Sequence, residues 1–357
     1  MKVFHCDHCE ALVFFENVRC VNCDHALAYL PDLEVIGSLN EAGENLWSSP
    51  LQGAGGRKYR LCENYVKHNV CNWAVPADDP SPLCPSCRLT RVIPDLGKPG
   101  NKQAWYKLEV AKRRLAYSLL RLGCPLKSKA EDPERGLAFE FLADPQAPGA
   151  PRVTTGHAGG VITLNVGEAD DAEREKRRVA LHEPYRTLLG HFRHEVGHHY
   201  WERLVQDSPR IGRFRELFGD ERKDYGQSLK EHYKNGAPAD WQQRFVSAYA
   251  TSHPWEDWAE SWAHYLHTTD TLEIAAACGL SLRPPRPDEP TLRHPTVPGG
   301  KGAEPFDKVI ADWFSLTYVL NNLSRSLGQP DAYPFVLSAP AIEKLRFVHQ
   351  TIAGATP

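Results

Sequence analysis

The chain reads as an α+β protein in which a small cysteine-rich, metal-held module precedes a larger domain of few strands and many helices. Three observations predict this. Eight of the ten cysteines fall before residue 90, in pairs spaced for metal. Two strand-like segments, Leu137 to Leu142 and Val161 to Val166, flank a turn-rich stretch at Gly156–Gly160. Beyond them, apolar residues recur at helical steps almost to the end of the chain.

A length of 357 residues suffices for a sizeable core and suggests two or three domains. Hydrophobic residues make up 41% and charged residues 24%, with a net charge of −3, as in ordinary globular proteins. No apolar run approaches the roughly 18 residues of a membrane span, so no membrane association is expected. Met1-Lys2-Val3-Phe4-His5-Cys6 contains no apolar signal-like stretch, and the cysteine spacing argues for metal rather than disulfides. The expectation is a cytoplasmic protein with reduced thiols.

Cys6-x-x-Cys9 and Cys20-x-x-Cys23 are two knuckles with ten residues between them, the spacing of a zinc ribbon. Two such turns bring four thiolates to one tetrahedral site. Glu10 and Asp24 stand where a knuckle often has Gly. Cys62, Cys71, Cys84 and Cys87 form a looser second set, read as a second Cys₄ zinc site that orders the Pro- and Asp-rich stretch at 76–85. His68 is a rival ligand in that set, and the alternative is a pair of buried thiols beside a redox pair. Cys124 and Cys278 read as core thiols. The cysteine-rich region is assigned to residues 1–95, a linker to 96–100 and the larger domain to 101–357.

That domain begins with an amphipathic helix at about 102–122, whose stripe is Trp105, Leu108, Leu115, Leu119 and Leu122. Lys107, Arg114 and Arg121 share another face, read as solvated. The two strands follow, then a charged helix start at Glu168 to Arg178. Tyr185, Leu188, Leu189, Phe192, Val196 and Tyr200 mark the next helix, and Phe214 to Tyr233 is helical with a break at Phe218-Gly219-Asp220. A further helix starts at Pro254, a good first-turn residue, with Glu256 and Asp257 at the positive end of its dipole. Residues 283–305 are Pro/Gly-rich loop, and 306–352 supply two closing helices.

The chemistry centres on His194-Glu195-Val196-Gly197-His198. On a helix, HExxH sets two imidazoles one turn apart on one face, able to grip one Zn²⁺, with the Glu between them in reach of a zinc-activated water. Both histidines fall opposite the apolar stripe. The competing reading is an ordinary histidine pair with a solvated Glu195. A catalytic zinc needs a third ligand, and Trp201 and Leu204 occupy the Gly and His positions of HExxHxxGxxH, excluding that pattern. The better source is Trp255-Glu256-Asp257-Trp258-Ala259-Glu260-Ser261-Trp262-Ala263. There Glu256 and Glu260 share a helix face beside the small Ala259 and Ala263, which allow close helix approach. One carboxylate would reach the metal and the other would accept from a ligand imidazole. Trp258, Trp262 and Leu266 lie on the core side. Asp220 is the rival third ligand.

HExxH followed by a helix carrying ExxAE resembles the gluzincin group of zinc metallopeptidases, and the whole chain is similar to a bacterial zinc-binding metallopeptidase family with an N-terminal zinc-ribbon region. The resemblance runs through the Cys-rich start, HFRHEVGHHYW, HPWEDWAESWAHYLH and YPFVLS. It implies a zincin-like domain, with a small mixed sheet, active-site helices and a helical C-terminal part. By position it makes Glu256 the ligand and Glu260 its support. Some members carry a Tyr shortly before the ligand Glu, and here Tyr249 stands seven residues ahead. It also makes Val161-Ile162-Thr163-Leu164-Asn165 the edge strand that would pair with an extended peptide.

The implied chemistry is peptide hydrolysis, with Glu195 as general base and Tyr249 as oxyanion donor, or else a buried core tyrosine. The cofactor expectation is one catalytic and two structural Zn²⁺. A nucleic-acid-associated role is disfavoured because residues 1–95 hold eight Lys or Arg against twelve Asp or Glu. An acidic zinc module suits a protein partner better. An inactive scaffold is a third reading, weakened by Glu195 standing between the two histidines.

Overall fold

The computed structural model describes residues 2–145, 149, 153–180, 187–297 and 304–355. Tyr185, the first residue of the predicted stripe, and 298–303 of the Pro/Gly-rich stretch lie outside them.

The cysteine-rich region opens with a two-stranded antiparallel ladder, β1 (Phe4–His5) and β2 (Leu12–Val13), that carries the first knuckle. An antiparallel meander follows, with β3 (Ala26–Leu30), β4 (Val35–Gly43), β5 (Leu46–Ser48), β6 (Lys58–Leu61) and β7 (Ala74–Pro76) paired in sequence order. A single turn of helix, α1 (Glu63–Val66), joins β6 to β7. Strand β3 is buried over most of its length because one face meets the Phe4, Phe15, Trp73 and Tyr117 cluster and the other meets Leu39, Ala54 and Tyr59. This five-stranded sheet was not anticipated from the sequence.

Among its described residues the larger domain has one four-stranded sheet in the order β10-β11-β9-β8. Its members are β8 (Thr90–Val92), β9 (Ala138–Leu142), β10 (Gly156–Ala158) and β11 (Val161–Asn165). Strands β8, β9 and β11 run parallel, while β10 folds back antiparallel on β11. Strand β8 therefore joins this sheet from ahead of the 96–100 linker. The expectation that Val161–Asn165 is the edge strand is corrected: β11 is paired on both sides. The Gly159-Gly160 turn, with both residues at positive φ, adds β10 outside it as the true edge.

Helix α2 (Asn101–Arg121) lies between the two halves of the molecule. Trp105, Leu108, Leu115 and Leu119 enter the main core, while Ala116 and Tyr117 enter the core of the cysteine-rich region. Tyr117 meets Phe15 and Tyr29 edge-on, with ring centres 5.5 and 5.9 Å apart. Its hydroxyl donates to Glu273 at 2.9 Å, and Arg121 Nε donates to the same carboxylate at 2.9 Å. Arg114 pairs with Glu16 and Lys107 with Asp171, so the basic row is engaged in salt bridges rather than free in solvent.

After α3 (Asp171–Ala180) comes α4 (Leu188–Trp201), capped by the Thr187 hydroxyl accepting from Gly190 N–H at 3.0 Å. It is followed by α5 (Ile211–Phe218), α6 (Tyr225–Asn235), α7 (Pro254–Ala277), α8 (Phe306–Ser326) and α9 (Ala339–Ala353). Helix α7 runs through the middle of the domain, with Trp258, Trp262 and Leu266 fully buried. It packs most extensively on α4 and also against α5, α8 and α9. No described helix is long and apolar enough to cross a membrane. Cys124 is buried as expected, but Cys278 is exposed, correcting its reading as a core thiol. It caps the end of α7, where the helix emerges from the core.

Candidate metal centre and active site

The centre forms where α4 and α7 touch. Gly197, inside HExxH, is the reason they can approach so closely. A Cβ built there would lie 3.0 Å from Ala259 Cα, 3.2 Å from Trp262 Cβ and 3.3 Å from Ala259 O. Trp258 Nε1 donates to Gly197 O at 2.8 Å and pins the crossing. Helix α7 starts at a defined place because His253 Nδ1 accepts from Trp255 N–H at 3.1 Å, ahead of Pro254 in the first turn. Glu256 thus enters from the first turn, directly opposite the two histidines.

His194 Nε2 lies 2.9 Å and His198 Nε2 3.5 Å from Glu256 Oε2. The spacing suits a shared ion. Zinc bonds of about 2.0–2.1 Å at tetrahedral angles put neighbouring ligand atoms about 3.3–3.4 Å apart. Glu256 is 1% exposed, and among the described residues its Oε2 has the two imidazole nitrogens close by but no well-aligned hydrogen bond, a buried charge that a cation between them satisfies. Burial alone would raise its pKa, but His198 and His194 outweigh that and hold it well below the usual carboxylate range. Glu256 Oε1 accepts from Tyr225 Oη at 2.6 Å. His194 Nδ1 lies 2.7 Å from Glu260 Oε1, while Glu260 Oε2 accepts from Ser247 Oγ at 2.6 Å. That chain fixes the ring so that Nε2 is presented to Glu256.

Glu195 lies beside this group, and among the described residues no hydrogen bond engages it. Burial pushes its pKa up against the pull of His194 and His198. Tyr249 borders the site with its ring 5.9 Å from that of His194, and burial followed by Glu256 raises its pKa. Trp255 closes another side, its ring 4.9 Å from His198. Asp220 stands apart from the group: it accepts from the Arg222 guanidinium and Arg222 N–H and belongs to none of the described clusters of potential ligands. Nothing local in the sequence ties Tyr225 to Glu256, 31 positions later, so this contact is legible only in the structure. His264 Nδ1 lies 2.7 Å from Tyr333 Oη in the core.

Both cysteine sets assemble. Cys6 Sγ and Cys23 Sγ are 3.7 Å apart, Cys9 and Cys20 3.5 Å, and Cys71 and Cys84 3.8 Å. Zn–S bonds of about 2.3 Å in a tetrahedron require about 3.8 Å. Cys62, Cys71, Cys84 and Cys87 are all buried in one cluster, and His68 packs on Trp105 instead of joining them. Glu10 and Asp24 adopt φ of 64° and 58°, the left-handed geometry that Gly usually supplies in a knuckle. Their N–H groups donate to Cys6 O and Cys20 O at 2.8 and 2.9 Å, closing each turn.

Residues 101–351 match a family described as "Putative zinc-binding metallo-peptidase", and residues 3–98 match a zinc-ribbon domain. Uncharacterized proteins of Mycobacterium tuberculosis and Mycobacterium bovis are each 42% identical over 358 residues, covering 100% of this chain and 97% of theirs. No solved structure matches the chain significantly. With a family match over most of its length, the chain belongs to that metallopeptidase family and carries a zinc-ribbon domain ahead of it.

Proposed function

We propose that the chain is a zinc-dependent peptidase that hydrolyses peptide bonds, with His194, His198 and Glu256 holding the catalytic ion. The observation that carries this is the meeting of His194 Nε2, His198 Nε2 and Glu256 Oε2 beside the unengaged carboxylate of Glu195. Zinc, when bound there, supplies a Lewis acid that acidifies water and polarises a carbonyl. Glu195 takes the proton from the attacking water and delivers it to the leaving amine, a role helped by its raised pKa. Glu260, braced by Ser247, orients His194, and Tyr225 orients Glu256. Tyr249 donates its hydroxyl to the oxyanion that forms on the substrate. Strand β10 offers its free edge to an extended peptide.

Each cysteine set holds one structural zinc, for three ions in total. The acidic ribbon region serves contacts with a protein partner in preference to nucleic acid.

The test combines elemental analysis with cleavage of a diverse peptide library. Protein prepared without chelator should carry close to three equivalents of zinc and cut a subset of peptides. Glu195→Gln should keep the zinc and lose the cleavage. A variant that cuts at the wild-type rate would remove Glu195 from the chemistry.

A further inference from the structure

Beside the first centre stands another group of side chains suited to metal. Helix α4 continues past His198 into a π-helical turn, Glu202–Gln206, a local irregularity often found at functional sites. His199 and Glu202 are i,i+3 across this junction and so share a face. Strand β10 contributes His157, whose ring lies 6.2 Å from that of His199 and 6.1 Å from that of His198. One ring nitrogen of each histidine and one Glu202 oxygen lie within 4.8 Å of one another.

Two buried core histidines would be the ordinary explanation, but core histidines normally satisfy both ring nitrogens. The His157 side chain is 1% exposed and His199 is 2% exposed, and among the described residues Nδ1 of each has no hydrogen-bond partner. His157 Nε2 faces Glu202 Oε2 at 3.8 Å and accepts from Gly160 N–H at 3.0 Å, a donor that an ion would replace. A cavity of about 60 Å³ bordered by His199, Glu202 and Gly160 gives an approach to the group.

We propose that His157, His199 and Glu202 form a second site for a divalent transition metal such as Zn²⁺. Two imidazoles and a carboxylate are a donor set that zinc accepts readily. Lys129, Arg135 and Arg203 bring positive charge nearby. Each is engaged with main-chain oxygens: Lys129 with Pro133 and Glu134, Arg135 with Glu202 and Arg203, and Arg203 with Arg135. Their field weakens cation binding, so this site fills after the others, at higher free zinc. An ion held there ties edge strand β10 to the end of α4 and fixes the strand that borders the first centre.

The test is zinc uptake by the full-length protein in metal buffers of rising free Zn²⁺, read by elemental analysis after equilibrium dialysis. Wild-type protein should take up one equivalent beyond the tightly held ions. Glu202→Gln and His157→Asn should each weaken that last equivalent by at least about ten-fold in Kd, roughly 1.4 kcal/mol. Glu202 is partly exposed, so Glu202→Gln should fold normally, as judged by its circular dichroism. Glu256→Ala should retain the late equivalent while losing a tight one, which separates this site from the peptidase reading. Uptake by Glu202→Gln equal to wild type in number and affinity would overturn the proposal, as would no late equivalent in the wild type.

Discussion

Gly197→Ala offers a sharp test of how the centre is built, because two effects of opposite sign compete there. In an exposed helix, Gly to Ala stabilises by about 0.8–1 kcal/mol through helix propensity. At Gly197 the added methyl meets Ala259 Cα at 3.0 Å, Ala259 O at 3.3 Å and Trp262 Cβ at 3.2 Å. These are backbone or backbone-proximal atoms of a buried helix, so none can move aside as a flexible side-chain tip could. Overpacking of a tight core costs about 1–3 kcal/mol. Three close contacts place this case in the upper half of that range, leaving a net loss of about 1–2 kcal/mol after the propensity gain.

Separation of α4 from α7 also draws Glu256 away from His194 and His198, so zinc affinity at the first centre should fall with stability. The assay is urea unfolding together with competition for zinc against a chromophoric chelator. Gly212→Ala in α5, where an added Cβ meets nothing within 4 Å, is the control and should stabilise by up to about 1 kcal/mol. The reasoning fails if Gly197→Ala is as stable as wild type and binds zinc equally well.

Other outcomes follow from the same geometry. Glu256→Ala should lower the affinity of the first centre far more than Asp220→Ala, which loses only contacts to Arg222; equal losses would restore Asp220 as a ligand. Tyr225→Phe removes the donor to Glu256 and should weaken zinc binding, on the order of 10–100-fold for such a supporting contact. Tyr249→Phe should leave zinc content unchanged and reduce kcat about 10²–10³-fold with KM nearly constant; unchanged kcat would return Tyr249 to the core. Cys278 should react rapidly with a thiol reagent in the zinc-loaded protein while buried Cys124 stays protected, as mass spectrometry of the labelled protein would record.

The parts of the molecule that were legible in the sequence are those set by local spacing. A helix converts Glu256 and Glu260 into neighbours one turn apart, so the i,i+4 pattern already carried the relation to His194. The knuckles were equally local, and Glu10 and Asp24 stood out because they occupy a turn position that favours Gly. What stayed hidden depends on long-range pairing. Strand β3, Ala26–Leu30, is apolar on both faces and has no period-2 signature. The edge position of β10 follows from a fold-back around Gly159-Gly160 that periodicity does not encode. Tyr225 and His157 gain their neighbours only when separate elements meet in space.

Helix α2 has a practical consequence for anyone dividing this protein. It works as a shared spar: one side seals the zinc-ribbon half and the other seals the larger domain. Cutting the chain near residue 100 would strip Phe15 and Tyr29 from Tyr117 and remove β8 from the sheet beside β9. The damage would also travel. Tyr117 and Arg121 grip Glu273, which stands on the same rod as Glu256, about 25 Å along it at 1.5 Å per residue. The ribbon is thus a foundation for the helix that carries the third candidate ligand, and a fragment lacking it would inherit a larger domain with an unsupported beam.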